Sequence, residues 1–158
     1  MNLISKLLPP SNILLDLEVA SKRRVFDQAG LLFENNQSIA RSQVFDSLFT
    51  RERLGSTGLG MGIAIPHGRI KGLRDAIGGY IRLKDAVAWD APDGRPVTHV
   101  FVLLVPEQAT ELHLQILAEL ATMFTEKSFR EKLTAASGAA DVHSLFVKWD
   151  PNASGSGR

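Results

Sequence analysis

The chain contains no cysteine, and that absence removes disulfide stapling, thiolate catalysis and thiolate metal sites together. It also lacks an excess of charge: 18 Lys and Arg stand against 17 Asp and Glu, so no overall field recommends nucleic acid as a partner. No apolar run approaches the roughly 18 residues needed to span a bilayer, so no membrane-embedded segment is expected. The opening segment to Pro10 is short and soon broken by prolines, unlike a secretory leader. No internal repeat recurs. The one biased stretch, residues 151–158, has linker composition and is expected to be a disordered tail. What remains is 158 residues at 44% hydrophobic, enough for one packed cytoplasmic domain over residues 1–150.

Strand and helix patterns alternate along that domain. Ile13 to Val19 partly alternates and predicts a strand. Ser21 is placed to cap a helix carrying Val25, Ala29, Leu32 and Phe33 at helical spacing, ended by Asn35-Asn36. A second helix is expected from Ser42 to Leu54-Gly55, followed by a glycine-rich loop and a short strand before Pro66. Further strands are expected at Ala76–Leu83, interrupted by Gly78-Gly79, at Ala86–Trp89, and at the apolar Val97–Val105. Asp93-Gly94 marks a turn. A long helix from Ala109 to Phe124 follows, with Leu112, Ile116, Leu120 and Met123 on one stripe, then shorter helices at Ser128–Ala135 and Ala140–Val147. The predicted fold class is α/β: a single-domain sandwich in which a mixed, mainly buried β-sheet is flanked by helices on both faces.

The run from Gly55 to Gly68 concentrates the chemistry. It holds Ser56, Thr57, several glycines and His67, which sits between Pro66 and Gly68. Glycine lets another molecule approach a backbone closely, and Pro66 restricts the chain arriving at His67. An imidazole so constrained suits nucleophilic or acid–base work, against the plainer reading of a surface histidine in a tight turn. His113 falls within the arc of Ile116, Leu117, Leu120 and Phe124, pointing at the sheet; alone it reads as a satisfied core histidine, yet its place after a buried strand keeps a functional role open. His99 belongs to the buried strand, on the face of Val97 and Phe101, and reads as packing; His143 reads as exposed. Arg51 and Arg53 close the second helix, where cations favour the helix dipole and where a guanidinium also reaches an anion held by the loop. Hydroxyls of Ser56 and Thr57 with the N–H groups of the glycines make phosphate a natural guest. No Gly-Lys-Ser/Thr ends the run as in a nucleotide P-loop, and the Gly58–Gly62 glycines lead to a strand instead of a dinucleotide-binding helix. No His pair has metal-ligand spacing, so neither metal nor cofactor is expected.

The stretch from Arg51 to Gly68 resembles the signature of the mannitol/fructose-type IIA domains of the bacterial phosphotransferase system, and within them most closely the nitrogen-regulatory branch. The likeness extends from Ile4 to Val147, through Leu104-Val105-Pro106 and the Glu111–Leu117 helix segment. The resemblance implies that His67 is the phosphoryl acceptor, at Nε2, taking the group from the phosphohistidine of the small carrier HPr or its paralogue NPr. By the same resemblance His113 donates to the phosphoryl oxygens and Arg51 neutralises them; Gly55, Ser56 and Thr57 complete the expected cradle. Phosphoryl transfer asks a protein mainly for positioning and charge stabilisation, and a donor that is already a phosphohistidine requires neither ATP nor Mg²⁺.

Three functions fit such a chain. The first is a regulatory phosphocarrier whose phosphorylation state selects partners, with potassium-transport and sensor-kinase systems suggested by the resemblance. The second is a sugar-specific IIA component passing phosphate to a IIB domain of a permease. The third is a binding module whose histidine has lost its chemistry. His67, His113 and Arg51 together disfavour the third. The absence of IIB-, IIC- or HPr-like sequence in these 158 residues, with the likeness to the nitrogen branch, favours the first.

Overall fold

The computed structural model describes residues 2–108 and 111–150. The expected helix start at Ala109 and the tail at 151–158 lie outside the described residues.

Two 3-10 turns, Ile4–Lys6 and Pro10–Asn12, lead into β1 (Ile13–Leu17). Ser21 then caps α1 (Lys22–Gln37), its hydroxyl accepting from the Arg24 N–H at 3.2 Å, as its sequence position predicts. The helix runs past Asn35-Asn36 and stops at Ser38, whose left-handed φ of 58° turns the chain. A short link gives α2 (Arg41–Leu54). Then come β2 (Gly58–Gly60), β3 (Ile63–Ala64), β4 (His67–Ile70), β5 (Ile77–Val87) and β6 (Val97–Pro106). Three helices close the chain: α3 (Glu111–Thr125), α4 (Lys127–Ala135) and α5 (Ala139–Lys148).

The six strands form one mixed sheet in the order β1-β5-β6-β3-β2, with β4 also paired to β6. β5 and β6 run antiparallel, while β1 on β5 and both β3 and β4 on β6 run parallel. β6 is the continuous apolar strand predicted from Val97 onward, buried from His99 to Val105. Its alternate side chains feed two cores. Val100, Val102 and Leu104 pack against Val25, Phe26 and Phe33 of α1 and Val44 and Leu48 of α2. Phe101, Leu103 and Val105 face Ile116, Leu120, Phe124, Phe129 and Phe146 of α3–α5. Phe146 lies at the middle of the second core, with ring centroids of Tyr80, Phe101, Phe124 and Phe129 all 5.2–6.0 Å away. The sandwich with helices on both faces is therefore the observed architecture.

Local expectations need four corrections. The stretch after Leu54 is no glycine loop but a hairpin, in which Met61 (φ 59°) and Gly62 (φ 79°) supply the two left-handed residues of a type I′ turn. Three residues of Gly-Leu-Gly carry little strand propensity; outside contacts impose the pairing, with Asp93 accepting the Met61 N–H at 2.8 Å. Second, the expected strand at Ala86–Trp89 is the end of β5, which runs on to Val87 through a register shift. Third, Leu112 points outward and is 54% exposed, so the buried stripe of α3 starts at Ile116. Fourth, Val97 belongs to the core opposite that of Phe101; β6 is irregular between them, where the successive N–H groups of Thr98 and His99 both donate to the Gly62 carbonyl, at 2.9 and 3.0 Å.

Ile63 and Ala64 pair with His99 and Val100; His67 and Gly68 pair with Leu103 and Leu104, at the same offset along β6. The break at Ile65-Pro66 is thus a gap in pairing and no slip in register. Proline lacks the N–H for a ladder bond, but its carbonyl still takes the Leu103 N–H at 3.0 Å. His67 consequently opens a strand instead of ending a loop.

Candidate functional site

β4 places His67 by alternation. Gly68 turns towards α2, where even a methyl group would sit 2.8 Å from the Ser47 Cβ. His67 and Arg69 therefore face the α3 side, as does Leu103, the partner of His67 on β6. Around them a cleft of about 590 Å³ opens between the end of α2 and the start of α3. Arg51, Thr50 and Leu54 line it from α2, His67 and Arg69 from β4, and His113 from α3. The rings of His67 and His113 stand 6.0 Å apart, centroid to centroid, tilted by 48°. Three residues singled out in the sequence, separated by up to 62 positions, thus share one cleft.

The ring of His67 is oriented by one bond. Its Nδ1 lies 2.9 Å from the Ile65 carbonyl oxygen. A carbonyl only accepts, so Nδ1 carries the proton and the Nε2 lone pair is left available. Burial holds the imidazole below its ordinary pKa. The Ile65 bond opposes that, the Arg51 and His113 charges add to it, and the Glu52 carboxylate again opposes. The outcome is a neutral ring with a defined tautomer, beside a guanidinium.

His99 shows the contrast. Its Nδ1 meets the Tyr80 hydroxyl at 2.6 Å and its Nε2 meets Thr134 Oγ1 at 3.1 Å, while that threonine hydroxyl donates to the Arg130 carbonyl. Thr134 Oγ1 must then accept from Nε2–H, which leaves Nδ1 to accept from Tyr80. Both nitrogens are used internally, and burial beside Arg82 and Arg130 lowers the pKa to about 4. The packing role expected of His99 fits this arrangement. His143 is half-buried, with Nε2 donating to the Leu8 carbonyl at 3.1 Å, so its expected exposure is corrected: α5 lies over the turns that precede β1.

Arg51 donates from one terminal nitrogen to the Gly55 carbonyl at 2.7 Å, closing the end of α2 while its charge stays beside His67. The three cradle residues stand elsewhere. Ser56 Oγ donates to the Trp89 carbonyl at 2.8 Å. Thr57 Oγ1 donates to Glu52 at 2.6 Å and accepts from Trp89 Nε1 at 3.3 Å. Neither residue nor Gly55 lines the His67 cleft. Both hydroxyls are consumed in fastening the hairpin to α2 and to the loop after β5, which corrects the cradle expected of them. Arg69 in the cleft went unseen in the sequence; it lies two residues past His67 on the same strand face, and period-two alternation finds it once β4 is recognised as a strand. It also donates to the Glu107 carbonyl at 2.7 Å.

The model of the phosphoenolpyruvate-dependent sugar phosphotransferase system EIIA 2 family matches residues 6–149. The chain belongs to that family. Among relatives of this EIIA chain, the nitrogen regulatory protein of Pseudomonas aeruginosa is 39% identical over 145 residues, covering 91% of this chain and 94% of that protein. Its counterpart from Escherichia coli is 37% identical over 129 residues, covering 80% and 78%. The crystal structure of nitrogen regulatory protein IIA-Ntr from Neisseria meningitidis superposes with a TM-score of 0.86 at 52% identity, over 91% of this chain and 99% of that one. The IIA mannitol structure from Escherichia coli, at 21% identity and a TM-score of 0.73 over 87% and 96% of the two chains, shares the EIIA fold. Among the described residues of this EIIA chain no helix is long and apolar enough to cross a membrane.

Proposed function

We infer that His67 is a phosphoryl acceptor, charged at Nε2 by the phosphohistidine of a small carrier protein of the HPr or NPr type, and that the phosphorylated and free forms engage different regulatory partners. The observation that carries this reading is the bond from Nδ1–H to the Ile65 carbonyl, because it leaves Nε2 as the lone-pair nitrogen in the cleft. That lone pair forms the new N–P bond as the bond from phosphorus to the donor's imidazole breaks; the donor ring leaves with the electron pair, and the proton on Nδ1 stays where it is. The accepting ring gains positive character as the donor ring loses it, and the Ile65 carbonyl stabilises that charge. Arg51 stands where it would offset the phosphoryl oxygens, and His113 where it would donate to them. Such a step needs positioning and electrostatics and no cofactor.

The regulatory half of the reading rests on the relatives named nitrogen regulatory protein. A phosphoryl group adds close to two negative charges in an open cleft, enough to repel or recruit a partner. Potassium-transport and sensor-kinase systems are the partner classes to try first.

Incubation with phosphoenolpyruvate, Enzyme I and HPr or NPr is expected to add one acid-labile, base-stable phosphate, seen as a single mass increment. His67→Ala should take up none; full uptake by that variant would sink the assignment. His113→Ala should still be phosphorylated, about tenfold more slowly. Transfer onward to a permease IIB domain would place the chain in sugar uptake instead.

A further inference from the structure

Glu52 follows Arg51 in the last turn of α2 and looks in the sequence like a solvated helix residue. Its side chain is 4% exposed. Oε2 accepts from Lys22 Nζ and from the Thr57 N–H, each at 2.9 Å, and Oε1 accepts from the Thr57 hydroxyl at 2.6 Å. From Thr57 the chain of bonds goes on: its carbonyl accepts the Ile65 N–H at 3.1 Å, and the Ile65 carbonyl accepts His67 Nδ1–H at 2.9 Å. A buried carboxylate is thereby joined to the imidazole through two backbone carbonyls.

We propose that Glu52 is a positioning residue for His67: by clamping both donors of Thr57 it holds the Ile65 carbonyl on Nδ1 and so keeps Nε2 free for phosphorus. The proposal rests on the reading of His67 as acceptor and deepens it. A carboxylate suits the task because Thr57 presents two donors, N–H and O–H, and Lys22 a third; two acidic oxygens accept all of them, whereas an amide offers a single accepting oxygen and must drop a partner. Released from the Ile65 carbonyl, the ring is free to carry its proton on Nε2, which blocks the nucleophile.

The test uses the full chain labelled with ¹⁵N-histidine, reading the His67 tautomer by long-range ¹H–¹⁵N correlation at alkaline pH, alongside the steady-state kinetics of transfer from the phosphorylated carrier. Wild type should show the Nδ1–H form alone. Glu52→Gln and Thr57→Val should show a mixture containing Nε2–H, with kcat lowered roughly tenfold and KM for the carrier within about twofold. Thr57→Ser, which keeps the hydroxyl, should retain the wild-type tautomer and rate. Folded Glu52→Gln and Thr57→Val proteins that keep Nδ1–H alone overturn the proposal. Should Glu52→Gln fail to fold, Thr57→Val decides, since it leaves the carboxylate, the Lys22 ion pair and the backbone bond in place. The tautomer is read without phosphate, so a wild-type protein that is never phosphorylated, yet whose variants lose Nδ1–H, sinks the acceptor reading and leaves the positioning role standing.

Discussion

Two histidines of this chain hold opposite tautomers for opposite ends. His99 spends both nitrogens on Tyr80 and Thr134; His67 spends only Nδ1, on its own strand's approach. Arg51 has a divided task as well, because the guanidinium that faces His67 also closes the end of α2 on Gly55. A rigid planar fork presents donors to both at once, whereas an ammonium is a compact point charge that cannot span the two positions as a guanidinium does. Arg51→Lys should therefore slow phosphoryl transfer about tenfold, worth about 1.4 kcal/mol in the barrier, with the melting temperature little changed; a wild-type rate would show that charge alone suffices. At this scale the sequence displayed His67 through its Pro-His-Gly setting and His113 through its place on the helical arc. Glu52 stayed hidden. Its burial depends on Lys22, which arrives from α1 thirty positions earlier, and nothing near Glu52 in the sequence announces it. The hydroxyl of Ser56 looked available because its partner, Trp89, becomes a neighbour only in the fold, and that of Thr57 because the buried state of Glu52, five positions earlier, was not legible.

Among the elements, β4 carries the site, and its distance from α2 is set by a residue with no side chain. A Cβ at Gly68 would collide with the Oγ and Cβ of Ser47 and approach its backbone carbon at 3.0 Å. Since backbone and not only a flexible tip must yield, Gly68→Ala should cost about 1–3 kcal/mol by overpacking, read as a lower denaturant midpoint. It should also slow transfer, because β4 and α2 carry His67 and Arg51 respectively. Unchanged stability would mean that α2 shifts freely. Strong patterns were legible here: the capped α1, the apolar β6, the helices over the second core. The short strand expected before Pro66 is β3, but β2 and β4 were not legible, since such short glycine-containing strands carry no period of their own and exist because Asp93, β3 and β6 pair with them.

At the scale of the whole molecule, the sheet separates two cores, and His99 ties the floor of one to α4 through Thr134. Its pKa of about 4 in the folded protein lies below the 6.5 of an ordinary imidazole. The unfolded chain therefore binds more protons than the native one between those values, and stability falls as pH drops through 6.5, levelling off below about 4. For this single group the loss at pH 5 relative to pH 8 is roughly 2 kcal/mol; His67, also depressed, acts in the same direction. Urea midpoints at pH 5 and pH 8 should differ accordingly, and His99→Gln should flatten the difference. An equal pH dependence in that variant would assign the acid lability to other groups.

The shared offset of β3 and β4 along β6 also dictates where this chain tolerates a change of length. At the hairpin tip, where Met61 is exposed, inserted residues lengthen a turn and cost the Met61 bond to Asp93, while β4 and its register on β6 stay in place. Between Ala64 and His67 the same insertion moves the ladder by one step and sends the imidazole through the sheet, out of the cleft and into the core beneath α1 and α2. Descendants of this sequence are free to vary the first length, while the second is counted residue by residue.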